Sequence, residues 1–265
     1  MATVTIPRSP VDGGGPARLH VRDLGAGPAV AILHGGWGYR VYSYDPQMEA
    51  LARGCRAVAP DRVGFGRSGR IGELPEDFQM RMAEETILTL DALGIERAAL
   101  WGHSDGAVVA AWCAILHPER VRALVLEALH FLAWKPGSLD FFRTGGADPG
   151  RFGEDIAREL EADHGPDWAE VIRMESRAWL RIIEAGRLGR RDLYRGRLGE
   201  IRCPALLLHG RRDPRTEPGE MEAARAAHPG ARLAWLDAGH SPHTSARAGA
   251  ECTRLALEFL GAAPP

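Results

Sequence analysis

The chain has 265 residues, of which 45% are apolar and 26% are charged. This balance is typical of a globular protein with a sizeable core and excludes a disordered or fibrous chain. The 33 basic and 35 acidic residues give a net charge of −2 without a basic run, which argues against a nucleic-acid partner or an anionic membrane surface.

Short apolar runs alternate with amphipathic stretches in the first half of the chain. The runs predict strands at residues 29–33, 56–59, 98–101 and 121–126, and the amphipathic stretches predict helices at 44–53, 79–93 and 106–117. This rhythm is typical of a parallel sheet with helices on both faces. The unbroken Val, Leu and Ala character of the strands suits burial on both sides.

The strand pattern stops after residue 126 and returns near residue 205. Between about 131 and 199 the sequence predicts helices at 152–163 and 168–183, and afterwards a strand at 205–209, a helix at 218–227, a strand at 232–236 and a helix at 245–260. We therefore expect a core of residues 1–130 and 200–265 and a helical cap at 131–199. Such an insertion would lie over the carboxyl ends of the strands, where ligands bind in open α/β sheets.

Four cysteines are scattered without CxxC spacing, which favours reduced thiols over disulfides or a zinc site: Cys55, Cys113, Cys203 and Cys252. The first residues lack the apolar stretch of a signal peptide, and no run approaches the roughly 18 apolar residues of a membrane helix. We therefore expect a cytoplasmic protein without a bound metal and without a membrane partner.

The segment Gly102-His103-Ser104-Asp105-Gly106 lies between a predicted strand and a predicted helix. In a G-x-S-x-G elbow, a sharp turn holds the serine in a strained conformation, and small residues on either side let the strand and helix pass closely. The Ser104 hydroxyl would then face the N-terminus of a helix, which favours developing negative charge. A plain helix cap is the alternative role for this serine.

A serine nucleophile needs a base and a carboxylate that orients the base. His240 follows the last predicted strand, and Asp213 follows the strand before it, so their loops should lie side by side. Glu127, after the strand at 121–126, competes with Asp213 as the acid. Otherwise Glu127 lines the pocket beside His130.

An acyl transfer also needs two N–H donors aimed at the developing oxyanion. The backbone of Asp105, directly after the nucleophile, supplies one of them. The other comes from the glycine-rich loop His34-Gly35-Gly36-Trp37, where Gly36 is our assignment and Trp37 is the alternative. The loop could instead serve only to reverse the chain.

These motifs, together with residues 61–68 (DRVGFGRS) after the second predicted strand, occur in the order found in α/β-hydrolases. The chain resembles that superfamily over nearly its whole length, and its elbow and the segment Gly239-His240-Ser241-Pro242-His243 are similar to small bacterial hydrolases near the valacyclovir-hydrolase-like and enol-lactonase-like branches. The resemblance implies a mostly parallel eight-stranded sheet flanked by helices, a helical cap after the sixth strand and no cofactor.

Several further residues have two possible roles. The Asp105 carboxylate either caps its helix or pairs with a cationic group of the substrate. The insertion is rich in aromatic residues such as Trp134 and Trp179, which line an acyl pocket or form the insertion's own core. Together with Trp37, Glu127 and His130, these two tryptophans are our candidates for contact with substrate.

The sequence thus predicts a serine hydrolase of small carboxylic esters that uses Ser104, His240 and Asp213. Its partners would be the substrate and water, and it would be a monomer or a homodimer. Hydrolysis of a carbon–carbon bond or a lactone by the same triad is the alternative, and an inactive receptor on the same fold is a third. A serine in the elbow, where the epoxide hydrolases and haloalkane dehalogenases of the superfamily have an aspartate, disfavours their chemistry.

Overall fold

The structure, a computed structural model, describes residues 2–263. One sheet runs through it in the order β1-β2-β4-β3-β5-β6-β7-β8. Its strands are β1 (Ala2–Ile6), β2 (Ala17–Gly25), β3 (Ala29–Leu33), β4 (Arg56–Pro60), β5 (Ala98–His103), β6 (Val121–Glu127), β7 (Ala205–Gly210) and β8 (Arg232–Leu236). β1 and β2 pair antiparallel, β2 pairs antiparallel with β4, and the remaining pairs are parallel. The expected mostly parallel, eight-stranded α/β fold is confirmed.

The central strands are buried on both faces because their side chains alternate between two apolar clusters. In β3, Leu33 and its alternate neighbours pack into one cluster, whereas Val30 and Ile32 pack into the other. In β5, Leu100 and Trp101 divide between the same two clusters. Burial on both faces explains why these strands read as continuous apolar runs.

Helices cover both faces of the sheet. They are α1 (Asp45–Leu51), α2 (Phe78–Ala92), α3 (Asp105–Leu116), α7 (Glu220–Ala227) and α8 (Gly249–Ala262). Apolar residues of α2, α3 and α7 belong to one cluster and those of α1 and α8 to the other. Because the central strands are parallel, their carboxyl ends lie at one edge of the sheet, and the loops that follow them meet there.

The segment between β6 and β7 is helical. It contains α4 (Leu139–Ala147), α5 (Glu154–His164) and α6 (Trp168–Arg187), and we call residues 131–199 the helical insertion. Asp163 at the end of α5 accepts the backbone N–H of Tyr39 and of Arg40, at 2.7 Å and 3.1 Å. A buried ion pair between Lys135 and Glu220 ties the start of the insertion to α7 at 2.5 Å. The insertion is therefore fixed to the core through charged and polar contacts.

Four elements differ from the periodicity of the sequence. β1 and β2 were not recognised from their patterns, because half-exposed residues interrupt the apolar runs. α4 contains Gly145 and Gly146, and glycine weakens a helical pattern. α8 begins at Gly249 rather than near Ser245, because a short 3₁₀ turn precedes it. Among residues 2–263, no helix combines the length and apolar character that spanning a bilayer requires.

Candidate active site

Ser104 lies in the turn between β5 and α3 with a strained backbone, at φ 54° and ψ −119°. A non-glycine residue in that region costs about 1–3 kcal/mol, so the surrounding structure must hold it there. A Cβ on Gly102 would meet the carbonyl oxygen of Gly106, and one on Gly106 would meet that of Leu33. The two glycines are therefore required by close backbone approach, as the elbow pattern predicts.

The three residues of the expected triad come together at the ends of β5, β7 and β8. Ser104 Oγ lies 3.0 Å from His240 Nε2. The other ring nitrogen, Nδ1 of His240, lies 3.0 Å and 2.9 Å from the two carboxylate oxygens of Asp213. All three distances are within hydrogen-bond range, so a proton can pass from the Ser104 hydroxyl to an imidazole that Asp213 orients.

Asp213 is held in its ionised form. Burial would raise the pKa of this carboxyl, but the hydrogen bond and the charge of His240 outweigh burial and lower the pKa below its ordinary value. The backbone N–H of Arg215 also donates to Asp213 Oδ1 at 2.8 Å. An ionised carboxylate on Nδ1 keeps His240 in the tautomer that leaves Nε2 free to accept a proton.

The two expected oxyanion donors, Gly36 and Asp105, belong to segments beside the nucleophile. Asp105 is the first residue of α3, so its N–H has no partner within the helix. Gly36 lines the same cavity as Ser104. The preceding carbonyl, that of Gly35, accepts from the Arg62 guanidinium at 2.9 Å and lies 2.7 Å from His34 Nδ1. His34 and Arg62 thus brace the glycine-rich loop.

A second imidazole touches the nucleophile. His130 Nε2 lies 3.2 Å from Ser104 Oγ, and its ring stacks on that of His240 at a centroid distance of 5.5 Å. Burial, with a smaller contribution from the charge of Lys135, lowers the pKa of His130 well below 6.5, so the ring is neutral at physiological pH. His130 was expected only as a substrate contact, and the sequence carries no motif that places it on the serine.

Glu127 has no place in the cavity, which corrects the expectation that it competes with Asp213 or lines the pocket. It is fully buried and accepts hydrogen bonds from Tyr44 Oη, Trp101 Nε1 and the backbone N–H of His243. Burial would raise its pKa, but the charge and hydrogen bonds of His243 lower it to about 2. His243 lies three residues after His240, so its contact with Glu127 anchors the loop that carries His240.

The cavity above Ser104 is small, about 40 Å³, and largely aromatic. Its walls come from the core and from the insertion: Gly35, Gly36, Trp37, Tyr42, His103, Ser104, His130, Phe141, Phe142, Glu175, Trp179, Arg215 and His240. Trp37 and Trp179 therefore lie where they were expected. Trp134 does not, because its side chain is 38% exposed on the surface of the insertion.

The Asp105 carboxylate also lies outside the cavity walls, which does not favour the expected contact with a cationic substrate group. It accepts from Gln79 Nε2 and Trp179 Nε1, both at 3.0 Å. Burial and the neighbouring Asp105 charge raise the pKa of Glu175 well above 4.5. Glu175 therefore keeps its proton and presents a neutral acid to the cavity that it lines.

Sequence reasoning missed Glu175, Arg215 and Arg62. Glu175 belongs to an ordinary amphipathic pattern in α6, and only the packing of the insertion aims it at Gly36. Arg215 stands two residues after Asp213, and Arg62 lies within the segment of residues 61–68, so proximity to recognised motifs was the available signal. Among residues 2–263, no cluster of His, Cys, Asp and Glu is arranged to bind a metal ion.

Comparisons with known proteins identify the fold family. A family model described as the alpha/beta hydrolase fold matches residues 28–185. The chain is 32% identical to the 2-hydroxymuconate semialdehyde hydrolase of Pseudomonas sp. (strain CF600), over 87% of this chain and 69% of that protein. It is 27% identical to the human serine hydrolase BPHL, over 97% and 87% of the two chains. A solved esterase from Thermogutta terrifontis, with malate bound, superposes with a TM-score of 0.73 at 25% identity over 98% of both chains.

Other relatives match only in part. The alignments to epoxide hydrolases 3 and 2 of Siraitia grosvenorii, at 32% and 37% identity, span 48% and 40% of those proteins and about half of this chain. The family match covers more than half of the chain, and the elbow, sheet order and loops described above are those of the same fold. The chain belongs to the α/β-hydrolase fold family.

Proposed function

We propose that the protein is a serine hydrolase that cleaves a carboxylic ester of a small substrate. The observation that carries this proposal is the hydrogen-bonded chain from Ser104 Oγ to His240 and on to Asp213, at 3.0 Å and 2.9 Å. A serine hydroxyl is a weak nucleophile at neutral pH, and this chain supplies both a base and its orienting carboxylate.

In the acylation half-reaction, Ser104 Oγ attacks the ester carbonyl carbon while His240 Nε2 takes the hydroxyl proton. The carbonyl oxygen becomes an oxyanion that accepts hydrogen bonds from the N–H groups of Gly36 and Asp105. The tetrahedral intermediate then collapses, and the bond to the leaving oxygen breaks. His240 gives its proton to that oxygen, so an alcohol departs and an acyl group remains on Ser104.

Water completes the cycle. His240 removes a proton from a water molecule, which attacks the acyl carbon and regenerates an oxyanion between the same two donors. Collapse breaks the bond to Ser104 Oγ, which recovers its proton from His240, and the carboxylic acid is released. Asp213 stays ionised throughout and stabilises the imidazolium that forms twice per cycle.

His130 has a positioning role in this scheme. Ser104 Oγ donates its proton toward His240, so a neutral His130 ring 3.2 Å away acts as the donor to the same oxygen. This second hydrogen bond restricts the rotation of the hydroxyl and selects the rotamer that faces His240.

The nucleophile also separates this proposal from epoxide hydrolysis. The elbow carries a hydroxyl at position 104, and the neighbouring Asp105 carboxylate is tied to Gln79 and Trp179 rather than aimed into the cavity. The elbow therefore offers no carboxylate for attack on an epoxide carbon. The likeness to partial relatives named epoxide hydrolases supports the shared fold and not that reaction.

Carbon–carbon bond hydrolysis is the second candidate. The relative from Pseudomonas is named as a hydrolase of 2-hydroxymuconate semialdehyde, a compound without an ester group. The same triad and oxyanion donors would serve attack on a ketone, with carbon rather than oxygen as the leaving atom. Turnover of such a dienoate, with slower turnover of esters, would favour this candidate.

The surroundings of the site suggest three further proposals. The helical insertion acts as a lid, because Phe141, Phe142 and Trp179 close the cavity over Ser104. The small cavity suits a small substrate, with water as the second reactant. Unpaired, scattered cysteines support a cytoplasmic location, with the protein as a monomer or homodimer.

An acyl-enzyme trap tests the proposal. Wild-type protein is quenched in acid during turnover of p-nitrophenyl butyrate, and peptide mass spectrometry then searches for a butyryl ester on Ser104. We expect the adduct on Ser104 of the wild type and no adduct on the Ser104→Ala variant. A folded wild-type protein that neither releases p-nitrophenol nor carries the adduct would refute the ester hydrolase.

A further inference from the structure

The cavity over Ser104 is lined by several ionisable side chains, and nearly all of them are uncharged at neutral pH. Burial lowers the pKa of His103 to about 3 and that of His130 well below 6.5. Burial raises the pKa of Tyr42, and burial with Asp105 raises that of Glu175, so both keep their protons. The guanidinium of Arg215 keeps its charge, because arginine is not deprotonated in proteins.

In the part of the chain that the structure describes, the Arg215 guanidinium makes no hydrogen bond and no ion pair with another residue. Its Nη1 is buried without a hydrogen-bond partner, and within residues 2–263 no carboxylate forms an ion pair with it. The nearby Asp213 oxygens accept from His240 and from the backbone N–H of Arg215, not from its side chain. Arg215 is half-buried, and a buried N–H group of a cationic side chain that has no acceptor is unusual in a native protein and calls for an explanation.

The position of Arg215 suits a planar anion. Its Cζ lies 4.1 Å from the centroid of the Phe141 ring, so a face of the guanidinium is stacked and its edge is left for hydrogen bonds. Arginine presents parallel N–H groups that match the two oxygens of a carboxylate. The same side chain lines the cavity that contains Ser104 and His240.

We propose that Arg215 binds a carboxylate carried by the substrate, so that the preferred substrates are half-esters of short dicarboxylic acids or similar anionic esters. The inference rests on the proposed function, because it assigns the substrate class of the same site. Arg215 is then a specificity residue: it holds the remote carboxylate while the ester carbonyl lies at Ser104.

Binding to an inactive protein tests the inference without requiring hydrolysis. Ser104→Ala protein is titrated by calorimetry with monomethyl glutarate, which is anionic, and with methyl 5-oxohexanoate, a neutral ester of the same shape. We expect the anionic ester to bind about 10- to 100-fold more tightly, as one charge-assisted pair supplies. Adding Arg215→Gln should make the two affinities equal. Adding Arg215→Lys should leave an intermediate preference, because lysine keeps the positive charge but lacks the parallel N–H groups of the guanidinium.

Arg212 provides the matched control. It lies in the same loop but is exposed and paired with Asp237, so Arg212→Gln should keep the full preference for the anionic ester. Three results would each overturn the inference. They are equal affinities of the two esters for the Ser104→Ala protein, a preference that survives Arg215→Gln, and no binding of monomethyl glutarate at about 10 mM, which is roughly tenfold above the upper end of ordinary KM values.

The two proposals can fail separately. Wild-type protein that hydrolyses p-nitrophenyl butyrate but shows no preference for the anionic ester is a serine hydrolase without the Arg215 subsite. Protein that binds monomethyl glutarate through Arg215 but forms no acyl-enzyme keeps the anion site and loses the proposed reaction.

Discussion

The floor of the cavity consists of loops that follow parallel strands, whereas its roof consists of side chains from the helical insertion. We define the floor as Gly36, Ser104, His130, Asp213 and His240, and the roof as Phe141, Phe142, Glu175 and Trp179. The floor is held by short hydrogen bonds between loops that the sheet aligns. The roof is held by the stacking of its aromatic rings.

This difference separates reaction from selection. Ring contacts such as Phe142 on Trp179, at 5.2 Å between centroids, fill space without fixing a proton or a charge. The triad hydrogen bonds do fix both. Changes in the floor should therefore abolish turnover, and changes in the roof should alter which substrate enters and how stability depends on pH.

The largest expected effect comes from the floor. Asp213→Asn preserves the size of the side chain but removes the charge that stabilises the imidazolium, and it favours the wrong tautomer of His240. We expect kcat for p-nitrophenyl butyrate to fall about 10³- to 10⁴-fold in a variant that still folds but melts at a lower temperature, because the ionised carboxylate also contributes to stability. Asp237→Asn, an exposed aspartate in the next loop, should change kcat less than about twofold. Equal losses in both variants would show that Asp213 is not the triad acid.

Second in size is the anchor beneath the floor. Glu127 accepts from Tyr44, Trp101 and His243, so Glu127→Gln turns an amide N–H₂ toward groups that are themselves donors. We expect the free energy of unfolding to fall by about 2–4 kcal/mol in urea titrations. In Glu251→Gln, on the exposed side of α8, the free energy of unfolding should fall by less than about 0.5 kcal/mol. A stable Glu127→Gln protein would mean that the buried network is not charged.

The third prediction joins floor and roof. A methyl group on Gly36 would collide with Oε1 of Glu175, the far end of a flexible side chain. We expect Gly36→Ala to lower kcat/KM about 10-fold, by shifting an oxyanion donor. The double variant with Glu175→Ala should come within about threefold of Glu175→Ala alone. If the kcat/KM losses of the two single variants multiply in the double variant, the glycine-rich loop and α6 are not in steric contact. Gly261→Ala serves as the control, because a Cβ at that position meets no other atom.

The smallest effect is the pH dependence of stability. The pKa of Glu175 is raised, so its contribution is complete below its ordinary value of 4.5 and is lost as pH rises toward the folded-state value. Asp213 in the floor and Glu127 beneath it behave oppositely: their pKa values are lowered, so their contributions are present above 3.8 and 4.5 and are lost as pH falls. Glu175→Gln should therefore gain stability relative to wild type between pH 5 and 8, and a difference that is independent of pH would contradict this.

The same division explains what the sequence could predict. Ser104, Asp213 and His240 sit in short motifs after apolar strands, and parallel strands bring their loops to one edge whatever the details of packing. The bounds of β3 and β8 match the predicted strands because continuous apolar runs leave little ambiguity. Local rules therefore sufficed for the triad, but not for the contact of His130 with Ser104.

The roof and the charge balance needed tertiary structure. Glu175 and Glu170 are both acidic residues of α6, and only the docking of that helix buries one and leaves the other exposed. Glu127 has the position of a triad acid in the chain, but its side chain points to His243 behind the loop rather than to His240. Side-chain direction of this kind depends on neighbours distant in sequence, which periodicity cannot register.

The most direct test of the central claim is labelling with a fluorophosphonate, which reacts with an activated serine. Wild-type protein, Ser104→Ala and Asp213→Asn are incubated with the probe under the same conditions, and the modified peptide is identified by mass spectrometry. We predict labelling at Ser104 in the wild type, none in Ser104→Ala, and strongly slowed labelling in Asp213→Asn. A folded wild-type protein that is labelled elsewhere, or not at all, would contradict the assignment of Ser104 as the activated nucleophile.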